Sequence, residues 1–222
     1  MRTQRAYATL FLIFLLSMTR ACTAQTDVGA SVYGAFSGTV RGSSSIHIQA
    51  PSSAVGGLFE LRRIFNPVLG FEVTYSYNRA NQVYTSYGYG AVPEICAPPP
   101  GGCPPPPPPL PPPVSVSANA NEFTADWIPS RTKGALRPFG VLGGGVLIDV
   151  PSGGQSNTTT VTEPVFVYGV GMDWAHWKRF GLRVQYRGNL YKSTSMSTVY
   201  NEPTNALMLT NEPMAGVYFR LP

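Results

Sequence analysis

The feature that most constrains this chain is a repeated alternation of apolar and polar side chains with a period of two residues. In residues 182–187, for example, Leu, Val and Tyr alternate with Arg, Gln and Arg. Because successive side chains of a β-strand point to opposite faces, such a segment predicts a strand with one apolar and one polar face. Strand-like segments occupy residues 28–36, 55–62, 71–77, 122–127, 139–150, 165–174, 182–190 and 215–221. The chain is therefore predicted to be all-β, with eight strands.

The connections between the predicted strands alternate between long and short. Short turns are predicted near residues 66–67, 130–134 and 175–179. Long connections are predicted at residues 38–52, 78–113, 152–162 and 192–205. An even number of antiparallel strands, with short turns at one end and long loops at the other, is typical of outer-membrane barrels. The pattern predicts an eight-stranded antiparallel up-and-down transmembrane β-barrel. Its fifth strand is apolar on both faces, so the orientation of that strand is not predicted.

The polar face of the predicted strands carries most of the charge. It collects five acids and four bases, namely Glu60, Arg62, Glu72, Glu122, Asp126, Asp173, Arg183, Arg187 and Arg220. The bore of an eight-stranded barrel is only wide enough for side chains, and unpaired charges there would be costly to desolvate. The near-balance of acids and bases therefore predicts an ion-paired interior. A hydrophilic pore or proton path is the alternative interpretation of the same residues.

Aromatic side chains gather where the predicted strands meet the short turns. Six of them are predicted to form an aromatic girdle: Phe65, Trp127, Phe139, Trp174, Phe180 and Phe219. Aromatic rings of this kind mark the boundary between lipid tails and headgroups in outer-membrane barrels. Tyr77 and Tyr191 are expected near the opposite rim.

The N-terminus, residues 1–24, has the order of a cleaved secretory signal peptide. Two arginines precede the apolar stretch of residues 6–16, which is too short to span a membrane as a helix, and small residues follow it. Cleavage would leave residues 25–222 as one barrel domain. Lipidation at Cys22 is the alternative, although Arg20 fits a lipoprotein signal poorly.

The signal peptide also accounts for most of the basic excess. Removing its three arginines lowers the count of Lys and Arg from 16 to 13, against 11 Asp and Glu. A net charge of +2 on the mature chain gives no reason to predict a nucleic-acid partner.

A proline-rich stretch interrupts the strand pattern. Twelve of the 22 prolines lie in residues 98–113. Because proline fixes φ and lacks an N–H, this stretch predicts a stiff polyproline II segment in an extracellular loop at about residues 78–113. Cys96 and Cys103 flank its first part and are predicted to form a disulfide in an exported protein. Two free thiols in a mobile loop are the alternative.

No arrangement of residues points to catalysis. The two histidines, His47 and His176, fall at opposite ends of the predicted barrel, and neither lies on a strand beside a serine and a carboxylate. The glycines at residues 143–145 lack the Lys-Ser/Thr pair of a phosphate-binding loop. Two histidines and three cysteines also leave few metal ligands. The chain is therefore predicted to be no enzyme and to need no cofactor or metal.

These features together resemble the small outer-membrane β-barrel family of OmpA/OmpX-like eight-stranded barrels. The resemblance rests on the signal peptide, the amphipathic strands, the glycine-rich residues 139–145 and the closing run of residues 216–221, and it covers residues 25–222. It implies a bacterial outer-membrane location, contact with outer-membrane lipid, and assembly by the outer-membrane machinery. Family members usually end on an aromatic residue that this machinery reads, whereas here Phe219 lies three residues before the end.

The function expected from this resemblance is a structural or surface-binding one, with the long loops meeting an extracellular partner. Two alternatives stay open at this stage. A soluble exported lipocalin-like barrel would place the apolar face inward around a ligand. A narrow porin would need a wider bore than eight strands provide.

Overall fold

The computed structural model describes residues 24–41, 47–86, 112–152, 157–193, 195–197 and 206–222. Its ten strands are β1 (Gln25–Ser37), β2 (Val40–Arg41), β3 (His47–Pro51), β4 (Ala54–Ile64), β5 (Gly70–Ser86), β6 (Val114–Trp127), β7 (Leu136–Pro151), β8 (Val161–Trp174), β9 (Phe180–Lys192) and β10 (Leu207–Arg220). No helix in these ranges is long and apolar enough to cross a membrane.

Eight of the strands close into a barrel. The order around it is β5, β4, β1, β10, β9, β8, β7 and β6, and β6 then pairs with β5 to complete the circle. The first and last strands are neighbours, with Val28 opposite Phe219. All these pairings are antiparallel. The eight-stranded up-and-down β-barrel predicted from the alternation is confirmed.

The strands run further toward the long connections than predicted. Strand β5 continues to Ser86 and β6 begins at Val114, so residues 78–86 belong to a strand and not to a loop. Polar cross-strand contacts support this extension: Ser117 Oγ donates to Asn81 Oδ1 at 2.6 Å. The hydrogen-bonded pairing of β5 with β6 therefore extends beyond the alternating residues from which these strands were predicted.

The short strands β2 and β3 widen the sheet beside this extension. Strand β2 pairs with β3, and β3 pairs with the last part of β5. Gln49 Nε2 donates to Gln82 Oε1 at 3.0 Å between β3 and β5. The first long connection, predicted at residues 38–52, therefore contains paired strand.

The segment of residues 195–197 reaches back to the same end of the barrel. Met196 is buried against Tyr84 and Val116 of β5 and β6. The Tyr84 hydroxyl accepts a hydrogen bond from Met196 N at 3.2 Å, and Thr159 N donates to Met196 O at 3.0 Å. A small apolar cluster thus covers part of the barrel mouth.

The wall of the barrel is apolar outside and polar inside. Outward-facing Val32, Val55 and Val184 are 66%, 79% and 62% exposed. The largest fully buried side chains, in contrast, include Arg62 and Arg187. This distribution is the reverse of the usual one in soluble proteins, where charged residues are almost never fully buried unless they are paired.

The orientation of β7, which the sequence did not predict, follows from its neighbours. Phe139 and Leu147 face the interior, whereas Leu142 faces outward. Val141 also faces the interior, the next two inward positions are Gly143 and Gly145, and a Cβ on Gly145 would clash with the Phe123 carbonyl oxygen of β6. Strand β7 therefore approaches β6 more closely than a larger residue would permit.

Candidate functional site in the barrel interior

Five charged side chains meet inside the barrel near the short turns, and we call them the short-turn cluster: Glu60, Arg62, Glu72, Asp173 and Arg183. Arg62 Nη2 lies 2.5 Å from Glu72 Oε2. Arg183 donates to both Asp173 oxygens, at 2.6 and 2.9 Å. Arg183 also pairs with Glu60, and Arg62 Nη1 is 3.5 Å from Asp173 Oδ2. All five residues are buried, and each has an oppositely charged partner.

The strand register explains these ion pairs. Arg62 lies directly opposite Glu72 across the β4–β5 hairpin, and Asp173 lies directly opposite Arg183 across the β8–β9 hairpin. Directly opposed side chains in antiparallel strands are neighbours and interact. Each hairpin therefore brings its own acid–base pair. Closure of the barrel joins the two pairs, with Arg62 Nη1 3.5 Å from Asp173 Oδ2 and Arg183 Nη1 3.8 Å from Glu72 Oε2.

Phe139 lies among these charges and not on the outer surface. The Arg62 guanidinium carbon is 4.1 Å from the centre of the Phe139 ring, and the Arg183 one is 5.2 Å from it. The ring covers Gly171 on β8, where a Cβ would overlap it. The assignment of Phe139 to an aromatic girdle is therefore wrong. Its inward direction follows from the orientation of β7, which the sequence pattern did not provide.

A second group of polar side chains surrounds Arg187 further along the bore, and we call it the Arg187 cluster: Thr74, Glu122, Thr124, Asp126, Arg187 and Asn189. Arg187 Nη2 is 3.1 Å from Glu122 Oε1 and 4.0 Å from Asp126 Oδ2. Asn189 Nδ2 donates to Glu122 Oε2 at 2.8 Å, and Thr124 Oγ1 donates to Asp126 Oδ2 at 2.8 Å. This group holds one arginine and two carboxylates.

The ninth predicted charge, Arg220, lies apart from both clusters. It is partly exposed at the short-turn end, where its Nε is 3.6 Å from Asp27 Oδ1. The structure thus brings eight of the nine predicted residues together in two groups and places the ninth at the rim.

Known structures of similar shape identify the fold. No protein-family model and no curated protein sequence matches the chain. Neisserial surface protein A (NspA) aligns with a TM-score of 0.54 at 14% identity, over 89% of this chain and 99% of that one. The outer membrane protein OprG from Pseudomonas aeruginosa aligns with a TM-score of 0.52 at 9% identity, over 89% of this chain and 95% of that one. The fold is that of the small outer-membrane β-barrels.

This small outer-membrane barrel fold holds more interior acid than the sequence predicted. Asp27, Asp149 and Glu212 are buried along with the five predicted acids, which gives eight buried carboxylates against three buried arginines among the described residues, with Arg220 at the rim. The expected near-balance is wrong. Strands β1 and β10 begin earlier than predicted, and β7 had no predicted orientation. The sequence prediction therefore did not place these three acids on the polar face. Extending the alternation of β1 by two residues, from Gly29 back to Asp27, would have placed Asp27 there.

Five of the six predicted girdle aromatics of this barrel lie at its short-turn end with exposed or partly exposed side chains: Phe65, Trp127, Trp174, Phe180 and Phe219. Phe180 and Phe219 pack together with ring centres 4.9 Å apart. Trp127 Nε1 donates to the Val68 carbonyl at 2.7 Å. Tyr191 lies one residue before the long-loop end of β9, toward the rim where it is expected, but its side chain faces the interior, with its hydroxyl 3.0 Å from Thr210 Oγ1. Tyr77 is exposed, but it lies nearer the middle of β5 because that strand continues to Ser86.

The remaining candidate residues are scattered over the barrel. His176 lies in the turn after β8 and packs against Trp177 with ring centres 5.5 Å apart. His47 begins β3 at the opposite end. Within the described ranges, no three Asp, Glu, His or Cys side chains converge in a way that could hold a metal ion. Cys96 and Cys103, like the predicted signal peptide, lie outside the described residues.

Proposed function

We propose that this chain is a non-enzymatic integral protein of the bacterial outer membrane, with a closed, ion-paired interior and a structural or surface-binding role. One observation carries the proposal: apolar side chains cover the outside of a closed barrel while arginines and carboxylates are buried inside it. A closed barrel satisfies its backbone hydrogen bonds internally, so its wall can lie in lipid hydrocarbon. In water, the same outer surface would be a large contiguous apolar patch, which monomeric soluble proteins rarely expose.

The polarity of the interior argues against a soluble lipocalin-like barrel. Such a protein needs an apolar cavity that holds its ligand. Here the bore contains Arg62, Arg183 and Arg187 with their carboxylate partners. The apolar faces that would have to line the cavity point outward instead.

The two clusters also argue against a conducting pore. In the short-turn cluster, two guanidinium groups pack against the Phe139 ring across the bore. The Arg187 cluster places further side chains along the same axis. We propose that these ion pairs fill the interior and close it, as expected for a barrel of eight strands.

The proposed role depends on the long connections and on the rim. Outer-membrane lipid would contact the apolar wall and the five outward aromatics, and the outer-membrane assembly machinery would insert the barrel after removal of residues 1–24. The proline-rich residues 98–113, with a disulfide between Cys96 and Cys103, would form a stiff surface loop for an extracellular partner.

Heat-modifiability tests the proposal directly. The chain is refolded in detergent micelles, and unboiled and boiled samples are compared on an SDS gel. A folded outer-membrane barrel is expected to migrate differently until it is boiled, because its strand edges are all paired. A variant lacking residues 97–113 should keep this shift while losing binding to a surface partner. A monodisperse protein that needs no detergent and shows no shift would contradict the proposal.

A further inference from the structure

A small cavity lies in the barrel between the Arg187 cluster and the long-loop end. Its volume is about 40 Å³, which is room for a few water molecules or for one small ion with part of its hydration shell. Oxygen-bearing side chains line it, including Glu122, Asp149, Asn189, Thr210 and Glu212. The cavity therefore has the size and the donor chemistry of an ion site.

Three acidic side chains, Glu122, Asp149 and Glu212, line this cavity, and Arg187 lies beside it. Arg187 pairs with Glu122 at 3.1 Å and approaches Asp126 at 4.0 Å. Glu212 is 3% exposed and forms no ion pair within 4 Å in the described part of the chain. Arg187 attracts it and the Asn189 amide can bond it, but both groups already engage Glu122. A buried carboxylate that is compensated only in part is costly, and either a cation or a proton would lower that cost.

Two buried oxygen atoms at the cavity lack a donor in the part of the chain that the structure describes, namely Glu212 Oε2 and Asn189 Oδ1. Asn189 is 1% exposed, and its amide nitrogen is already used on Glu122 Oε2 at 2.8 Å. A buried acceptor without a partner retains the full cost of its desolvation. Both atoms are acceptors, so either a cation or a donor such as water could satisfy them.

We propose that this cavity binds a small, hard metal cation such as Ca²⁺ or Mg²⁺. Carboxylate and amide oxygens are the ligands that these ions prefer, and the cavity lining includes no thiol or imidazole that would favour a softer metal. Glu212 and Asn189 supply the two protein ligands, and water completes the coordination. Because no three acidic, His or Cys side chains converge in the described ranges, the affinity should be weak, with a Kd on the order of 10⁻⁴ to 10⁻³ M.

Terbium luminescence provides a direct test, with Tb³⁺ as a luminescent substitute for Ca²⁺. Tyr191 lines the cavity and can sensitise the emission. The full chain, folded in nonionic detergent, is titrated with Tb³⁺ and then with competing Ca²⁺. Saturable emission that Ca²⁺ displaces at millimolar concentration is expected. Glu212→Gln, which keeps the side-chain shape and removes the charge, should weaken binding by about tenfold or more.

Glu163→Gln is the matched control. Glu163 is a partly exposed residue of β8 that does not line the cavity, so its substitution should leave the titration unchanged. Emission that does not saturate, or that responds equally to both substitutions, overturns the cation site.

A stability measurement on the wild-type barrel tests cation binding even if the Glu212→Gln variant does not fold. The unfolding midpoint of the wild-type barrel should rise with CaCl₂ at about 5 mM but not with NaCl of equal ionic strength. An unchanged midpoint means that Glu212 carries a proton or meets only water, and this outcome refutes cation binding.

Discussion

Arg62 and Glu72 lie directly opposite each other on β4 and β5, with Arg62 Nη2 2.5 Å from Glu72 Oε2 and with neither side chain exposed to solvent. The same arrangement recurs in Asp173 and Arg183 on β8 and β9. Both pairs lie within hairpins joined by short turns. The charged interior is therefore built from local pairs, which the closure of the barrel then brings into contact.

Removal of one partner should cost more than removal of both. Arg62→Met leaves Glu72 buried with only Arg183, 3.8 Å away, as a remaining partner. We expect a loss of unfolding free energy of about 3–5 kcal/mol, because an incompletely compensated charge stays buried. The double variant Arg62→Met/Glu72→Met should be more stable than Arg62→Met alone. Urea unfolding in lipid vesicles measures the unfolding free energy of both variants. Equal free energies for the single and the double variant would show that the two residues are not coupled.

The inward position of Phe139 predicts a large effect of its removal. Phe139→Ala would leave a cavity beside two guanidinium groups and remove both cation–π contacts, at a cost of about 3–5 kcal/mol. Phe180→Ala is the control, because Phe180 is exposed on the outside of the barrel at the short-turn end. Unfolding free energies from urea titration should separate the two variants clearly. Similar losses for both would indicate that Phe139 faces the membrane.

Glycine is required where an aromatic ring covers the backbone of the next strand. Gly181 lies opposite Tyr218, and a Cβ at Gly181 would overlap the Tyr218 ring. We expect Gly181→Ala to destabilise the barrel by about 1–3 kcal/mol, the usual range for overpacking. At Gly57, a Cβ meets no atom of the described structure within 4 Å. Gly57→Ala should therefore leave the unfolding midpoint nearly unchanged. Equal shifts of the midpoint in the two variants would contradict the prediction.

The lipid exposure of the wall can be tested by two equally exposed valines. Val184 is 62% exposed on β9, and Val68 is 67% exposed in the short turn after β4. If lipid surrounds the wall, Val184→Arg should cost about 2–4 kcal/mol and Val68→Arg about 0–1 kcal/mol. Urea unfolding from vesicles gives both values. A water-exposed wall would tolerate both arginines equally well, which would exclude the membrane location.

The strands and the faces of most of them were predictable because alternation is a local property. A period of two residues places Phe59 outward and Glu60 inward regardless of what the strand later pairs with, and the structure agrees at both positions. Alternation gives no orientation to a strand whose two faces are both apolar, as in β7. It also predicts no strand beyond the alternating residues, which is why the first part of β10, with the buried Glu212, was not predicted.

The amino-acid sequence by itself determined the eight strands of the barrel wall, their antiparallel order and the polarity of the interior, because these follow from the side chains and turns of short segments; it did not predict the short strands β2 and β3. Only the tertiary structure decided that Phe139 packs against Arg62 and Arg183, that Tyr191 faces inward, and that Glu212 is buried without an ion pair among the described residues. These features depend on which strands become neighbours when the barrel closes. The free energy of burying a charge depends on the groups that face it across the bore, and many of these groups lie far from it along the chain.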